Sequence, residues 1–245
     1  MEKLKISDLL DYKFLSGIVA SPSGKKAAFL AKQANKEKNS YDSWAYIADF
    51  CTGEVRKLTS FGAESHLLFD SEDTLLFSSV RKHEDKAKAG KEKTVFYRLS
   101  LKGGEAERAF EIPYSVNDMK KMADGSYVFS ATVDLNKPED EDGLKEYQDY
   151  HIIEELPYWE NGAYFVSRFR NTLFTYQEAE GVCERVTAPL FAVSGFELSG
   201  EIIVYTGVSY DQVLPMKNGM YGYDCRTKTT TEYVKDGDMH IGLFG

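Results

Sequence analysis

Glu154 and Glu155 stand side by side, followed after Leu156-Pro157 by Tyr158 and Trp159. Two carboxylates beside two aromatic faces favour a positively charged ligand, because ring quadrupole and negative charge attract the same cation. These four residues are the candidate substrate-binding group. A plainer role is open as well, in which one glutamate caps or solvates a helical turn stopped by Pro157. His151 and Glu154 have a helical spacing that could ligate a metal, but two residues do not complete a site and a surface pair is the simpler reading.

Catalytic chemistry finds no other foothold. No Gly-x-Ser-x-Gly string occurs, so there is no nucleophile elbow. His66, His83, His151 and His240 fall in different segments, with no His-Glu-x-x-His, Cys-x-x-Cys or glycine-rich phosphate loop near them. No catalytic residue, metal or cofactor is expected from this chain. Cys51, Cys183 and Cys225 are odd in number and sit beside turns of different repeats, so they read as small, partly buried residues rather than as a disulfide framework.

Charge narrows the partners. The chain has 30 basic and 39 acidic residues, a net charge of −9, with the basic residues scattered or gathered in the loop Arg81 to Lys93. No positive stripe is offered to phosphates, which argues against nucleic acid. The start, Met1-Glu2-Lys3-Leu4-Lys5, has no apolar stretch behind its charges, and no run approaches the roughly 18 apolar residues of a membrane span. No membrane partner is expected, and a cytoplasmic location follows.

The elements that must position any site come from a fourfold repeat. Each copy has a turn, an apolar strand, a connection, an aromatic-rich strand and a short charged strand ending near Thr or Val. The second turn residues are Gly24, Asp73, Gly125 and Gly200, so successive copies are 49, 52 and 75 residues apart. The third strands open at Trp44, Val95, Leu173 and Met220, and the fourth strands at Glu54, Ala106, Cys183 and Thr231, offsets that agree within one residue. Periods of roughly 40 to 50 residues with four strands each are the signature of a β-propeller, whose blades bury their faces against one another. A β-sandwich or two small barrels would also supply many short strands, without requiring constant offsets.

The expected fold is therefore all-β: a partial β-propeller of about four four-stranded antiparallel blades. An N-terminal arm or short helix spans 1–16. Blades follow at about 17–60, 64–112, 115–188 and 190–236, with the start of a fifth at 239–245 and an insertion at about 134–171. Connections between second and third strands are expected to be long: Lys32 to Ser43, Arg81 to Lys93, Asp134 to about Asn171, and Gly207 to Gly219. Loops of that length are usually functional, so the rim that carries them is the expected recognition face. Arg81 to Lys86, mixed in charge and poor in apolar residues, reads as a solvated, mobile loop. The insertion, acidic from Asp134 to Gly143 and rich in Tyr, Trp, Ile and Phe from Tyr147 to Phe165, should order. Four blades would leave terminal sheets uncovered, so self-association is expected.

Particular segments also resemble a known family. Ile6-Ser7-Asp8-Leu9-Leu10 and Ala20-Ser21-Pro22-Ser23-Gly24-Lys25-Lys26-Ala27-Ala28-Phe29 resemble the opening of prolyl oligopeptidase family serine peptidases, especially the acylaminoacyl-peptidase-like branch. Ile47 to Thr59 is similar to that family's repeat ending. Leu156-Pro157-Tyr158-Trp159-Glu160-Asn161-Gly162 and Arg170-Asn171-Thr172-Leu173-Phe174 resemble its insertion and the return to the blade. The resemblance implies a non-catalytic N-terminal propeller, commonly seven-bladed, covering a C-terminal α/β-hydrolase that supplies a Ser-Asp-His triad. It implies gating of short peptides, with a hydrolase domain of the parent chain as partner. Glutamate pairs bind the peptide amino terminus in the dipeptidyl-peptidase branch, whereas Glu154-Glu155 here precede Leu-Pro. The alternative is a stand-alone propeller acting as a protein-interaction module.

Overall fold

The structure, a computed structural model, describes residues 5–86 and 92–243. The chain divides into two compact units, Met1–Pro113 and Tyr114–Gly245. In the first, β1 (Lys13–Ala20), β2 (Lys26–Asn35), β3 (Ser40–Asp49) and β4 (Val55–Lys57) form one antiparallel sheet in chain order. A second sheet follows from β5 (Glu64–Ser71), β6 (Thr74–Ser79), β7 (Thr94–Ser100) and β8 (Glu107–Ile112).

The second unit repeats the plan twice. One sheet holds β9 (Val116–Lys121), β10 (Tyr127–Asp134), β13 (Phe169–Gln177) and β14 (Val182–Arg185). Between its second and third strands lie α1 (Glu141–Tyr147) and a hairpin of β11 (Trp159–Glu160) and β12 (Tyr164–Phe165). The other sheet comprises β15 (Phe191–Ser199), β16 (Ile202–Ser209), β17 (Asn218–Asp224) and β18 (Thr229–Met239). Each sheet is a blade, and each unit packs two blades face to face. Ala28, Leu30, Ala45 and Ile47 of the first blade bury against Leu67, Phe69, Leu75 and Phe77 of the second, and Val128 and Leu173 bury with Val193, Phe196 and Ile203 in the second unit. Period-2 alternation of apolar residues is what lets a strand present such a face.

The recurring sequence features have physical jobs. The Thr that closes the short fourth strand caps the third: Thr59 Oγ1 accepts the Ala45 amide at 3.0 Å, and Thr187 Oγ1 accepts that of Leu173 at 3.2 Å. Asp49 and Asp224 each fold a β-turn by accepting two amides, Cys51 and Thr52 in one, Arg226 and Thr227 in the other. Such Asx turns explain why Asp recurs at the end of the third strand.

Four expectations need correction. β1 starts at Lys13, so residues 13–16 belong to the first blade; only a 3₁₀ turn at Ile6–Leu10 precedes it, and residues 1–4 lie outside the described chain. The expected loop Lys32 to Ser43 is a hairpin, since Lys32 pairs with Ser43 and Asn35 with Ser40, leaving four residues to turn. Its polar side chains hide the ladder from hydropathy, because main-chain pairing continues past the end of the core. The expected start of a fifth blade at 239–245 is in part the end of the fourth: Met239 ends β18 and, among the described residues, His240–Leu243 carry no strand, while 244–245 lie outside them. Ile241 is instead held by both ends of the Asn218 amide, at 2.7 and 2.9 Å.

The fourth correction concerns the charged loop after β6, of which 87–91 lie outside the described residues. It is anchored, not merely solvated. Asp85, 1% exposed, accepts the Tyr97 hydroxyl at 2.6 Å and the Arg81 and Lys82 amides at 3.0 and 2.9 Å. Arg81 lies over the rings of Phe77 and Tyr97 and reaches buried Glu64 at 3.2 Å. Burial works to raise the Asp85 pKa, but the Tyr97 hydroxyl and the two amides outweigh it and hold the carboxyl below its ordinary value. Burial and that carboxylate together push Tyr97 up to about 12.

A depressed folded-state pKa contributes stability above the unfolded value of about 3.9, lost as pH falls through the folded one. Acid unfolding of Met1–Pro113 should therefore steepen below about pH 4, and Asp85→Asn should flatten part of that slope. Asp42, Asp49, Glu72, Asp73 and Glu111 shift in the same direction and contribute to the rest of the slope. Urea melts from pH 3 to 7 check this, and identical slopes in the two proteins would contradict it.

Candidate functional site

The insertion between β10 and β13 is built from local signals. Asp140 caps α1 by accepting the Gly143 amide at 2.7 Å. Gly162, at φ +85°, turns the β11–β12 hairpin, a conformation that costs a residue with Cβ about 1 kcal/mol. Aromatic Trp159 and Phe165 then pair directly across the two strands.

Arg170 docks the insertion. Its guanidinium is fully buried, forks onto both oxygens of Glu155, donates to the carbonyls of Leu190 and Tyr210 at 3.2 and 3.0 Å, and lies 3.7 Å above the Tyr210 ring. Arg168, at φ +63°, gives its amide to Glu155 and its side chain to Glu154 at 3.0 Å and Asp211 at 2.7 Å. Leu156 completes the attachment with a parallel bridge to Val213, giving its amide to the Gln212 carbonyl and accepting the Leu214 amide. The insertion is thereby zipped to the β16–β17 connection.

This arrangement separates the four residues proposed from sequence. Glu155 is 3% exposed and enclosed by Arg170, and Glu154 is bridged by Arg168, so both carboxylates already hold cations of their own chain. Neither caps a helix, since α1 ends at Tyr147. Tyr158 and Trp159 remain about half exposed. His151 does not join Glu154 but stacks on Phe165, ring centroids 4.1 Å apart.

What the insertion encloses is an aromatic cleft of about 620 Å³ between α1 and the hairpin, walled by Tyr147, His151, Ile152, Trp159, Tyr164 and Phe165. Trp159 meets Tyr164 and Phe165 edge to face at 5.4 and 5.3 Å, an arrangement that aligns ring edges with ring faces. Asp134, also lining the cleft, accepts the Tyr147 hydroxyl at 2.7 Å. Burial first, and the Asp134 carboxylate second, raise the Tyr147 pKa, so the phenol stays a donor. A cleft of this kind can hold a side chain by ring contact and charge.

Sequence reasoning missed Arg168, Arg170 and Tyr210. The signal available was a pair of arginines at i and i+2, a spacing that puts both on one face of an extended strand, beyond an adjacent glutamate pair. A Ser–His contact does exist elsewhere, His66 Nδ1 to Ser78 Oγ at 2.7 Å, but Ser78 is buried and shares its hydroxyl with Ser65. Among the described residues no group of three or more His, Cys, Asp or Glu could hold a metal, and no helix is long and apolar enough to cross a membrane.

With blades and cleft established, comparison becomes informative. Acylaminoacyl peptidase from Pyrococcus horikoshii superposes with a TM-score of 0.68 at 14% identity, over 93% of this chain and 33% of that one. The β-propeller domain of the Trilobed protease from Pyrococcus furiosus does so at 0.53 and 19% identity, over 94% of this chain and 60% of that one. The fold is a β-propeller's. A prolyl endopeptidase gives 0.52 at 13% identity, over 93% of this chain and 30% of its own length. The chain thus supplies four blades of a propeller and spans about a third of the length of acylaminoacyl peptidase. No protein-family model matches the sequence, and neither does any curated protein.

Proposed function

We propose that this chain is the propeller portion of a serine oligopeptidase of the acylaminoacyl-peptidase or prolyl-oligopeptidase type. Its role is to gate and shape the access of short peptides to a hydrolase domain, and it performs no turnover itself. The observation that carries this reading is the match of 93% of the chain to acylaminoacyl peptidase at a TM-score of 0.68. The ordered insertion supports it, because a recognition element fixed to a rigid blade can select what passes. Tyr158 and Trp159 are the members of the proposed substrate-binding group that face outward, with Glu154 and Glu155 holding their backbone in place.

Self-association belongs to the same reading. Phe14, Leu15 and Ile18 of β1 are each more than half exposed, apolar surface that further blades or a second copy would cover.

The test is hydrolysis of N-acetylated peptide p-nitroanilides by the full gene product and by residues 1–245 alone. The gene product should turn over and be silenced by a serine-directed inhibitor, while 1–245 should show no rate above buffer. Inhibitor-sensitive turnover by 1–245, or none by the gene product, would refute the proposal.

A further inference from the structure

We infer that the cleft between α1 and the β11–β12 hairpin is a subsite for a basic side chain, arginine or lysine, of a peptide. That the ligand is a peptide rests on the proposed function above; the rest is carried by the cleft. Its walls are rings held in place by one another, yet Trp159 and Tyr164 are 47% and 65% exposed, so their surfaces are not consumed by packing. Exposed aromatic faces clustered around a concavity suit a cation, and more so as the site is desolvated.

Charge points the same way. From Asp134 to Asn171 the chain has ten acidic and four basic residues. Arg168 and Arg170 are committed to Glu154, Glu155 and Asp211, and Lys145 pairs with Asp142. In the cleft itself Asp134 accepts from the Tyr147 hydroxyl and the Asn136 amide, neutral donors that orient the carboxylate without cancelling its charge. A guanidinium or ammonium entering the cleft would meet both the rings and Asp134, which line it together. The volume of about 620 Å³ accommodates one such side chain with its neighbouring backbone.

Calorimetric titration of the chain with N-acetylated, C-amidated Ala-Arg-Ala and Ala-Lys-Ala provides the test. Citrulline and norleucine peptides serve as neutral counterparts of the same size. The basic peptides should bind saturably, at least about fivefold more tightly than their counterparts. Trp159→Ala should weaken the arginine peptide about tenfold. Because that change could loosen the hairpin, Asp134→Asn is the second variant, expected to weaken the arginine peptide while leaving the citrulline peptide unchanged. Equal binding of the neutral peptides, or no saturable binding of any, would overturn the inference. A gene product without peptidase activity would refute the proposed function and leave this binding result standing.

Discussion

Arg170→Met will cost the second unit about 3–5 kcal/mol, because it strands the Glu155 carboxylate in a site that water does not reach. The same change leaves the Leu190 and Tyr210 carbonyls without the guanidinium and removes the cation from the Tyr210 ring. Thermal melting should fall on the order of 10 °C. Since Arg170, on β13, ties Glu155 of the insertion to Leu190 and Tyr210, which flank β15 and β16, the segment between β10 and β13 should become the first site of limited proteolysis. Peptide binding in the cleft should go with it. Glu155→Leu combined with Arg170→Met removes both charges and should recover most of the loss, as replacing a buried pair by apolar residues often does. A single Arg170→Met variant melting within about 2 °C of the parent would show that the pair is not what holds the insertion.

Gly207→Ala is the second large effect, and its cause is backbone contact rather than charge. Gly207 pairs with Val193 on one side and Gly219 on the other. A Cβ there would fall on the Ala192 carbonyl oxygen and within 2.9 Å of the Phe191 ring, which is itself wedged edge-on against Tyr205 and Tyr221. Neither neighbour is the free end of a flexible chain, so the ladder itself must shift, at a cost of about 3 kcal/mol. The loop that begins three residues later carries Asp211 and Val213, the partners of Arg168 and Leu156, so the floor of the insertion moves too. Gly200→Ala is the contrast: at φ +62° with nothing within 4 Å, it should lose only about 1 kcal/mol of conformational preference. Urea unfolding of the two variants compares them directly, and equal midpoints would rule out the clash.

The blades were legible because their determinants are local. Strand alternation, the Asp49 and Asp224 turns and the closing Thr59 and Thr187 each act within a few residues, and a repeated solution leaves a repeated pattern. The ends of strands were less legible. Lys32 to Asn35 pair through main-chain groups that no side chain advertises, and β1 shows little of the apolar alternation of its neighbours because much of it is exposed.

Sequence by itself determined that four antiparallel sheets succeed one another, that a long acidic and aromatic segment interrupts the third, and that this segment holds rings and carboxylates of possible use to a ligand. Which of those carboxylates remain available was decided only in three dimensions. Arg168 and Arg170 lie more than a dozen residues beyond Glu154 and Glu155, and Asp211 and Tyr210 some forty residues further, so nothing in local spacing announces that they meet. Asp85 teaches the same lesson: in a run of mixed charge it looks solvated, until Tyr97 arrives from the neighbouring strand to bury it. Backbone hydrogen bonding and apolar periodicity are written along the chain, whereas the pairing of a buried charge depends on which distant cation the fold delivers to it.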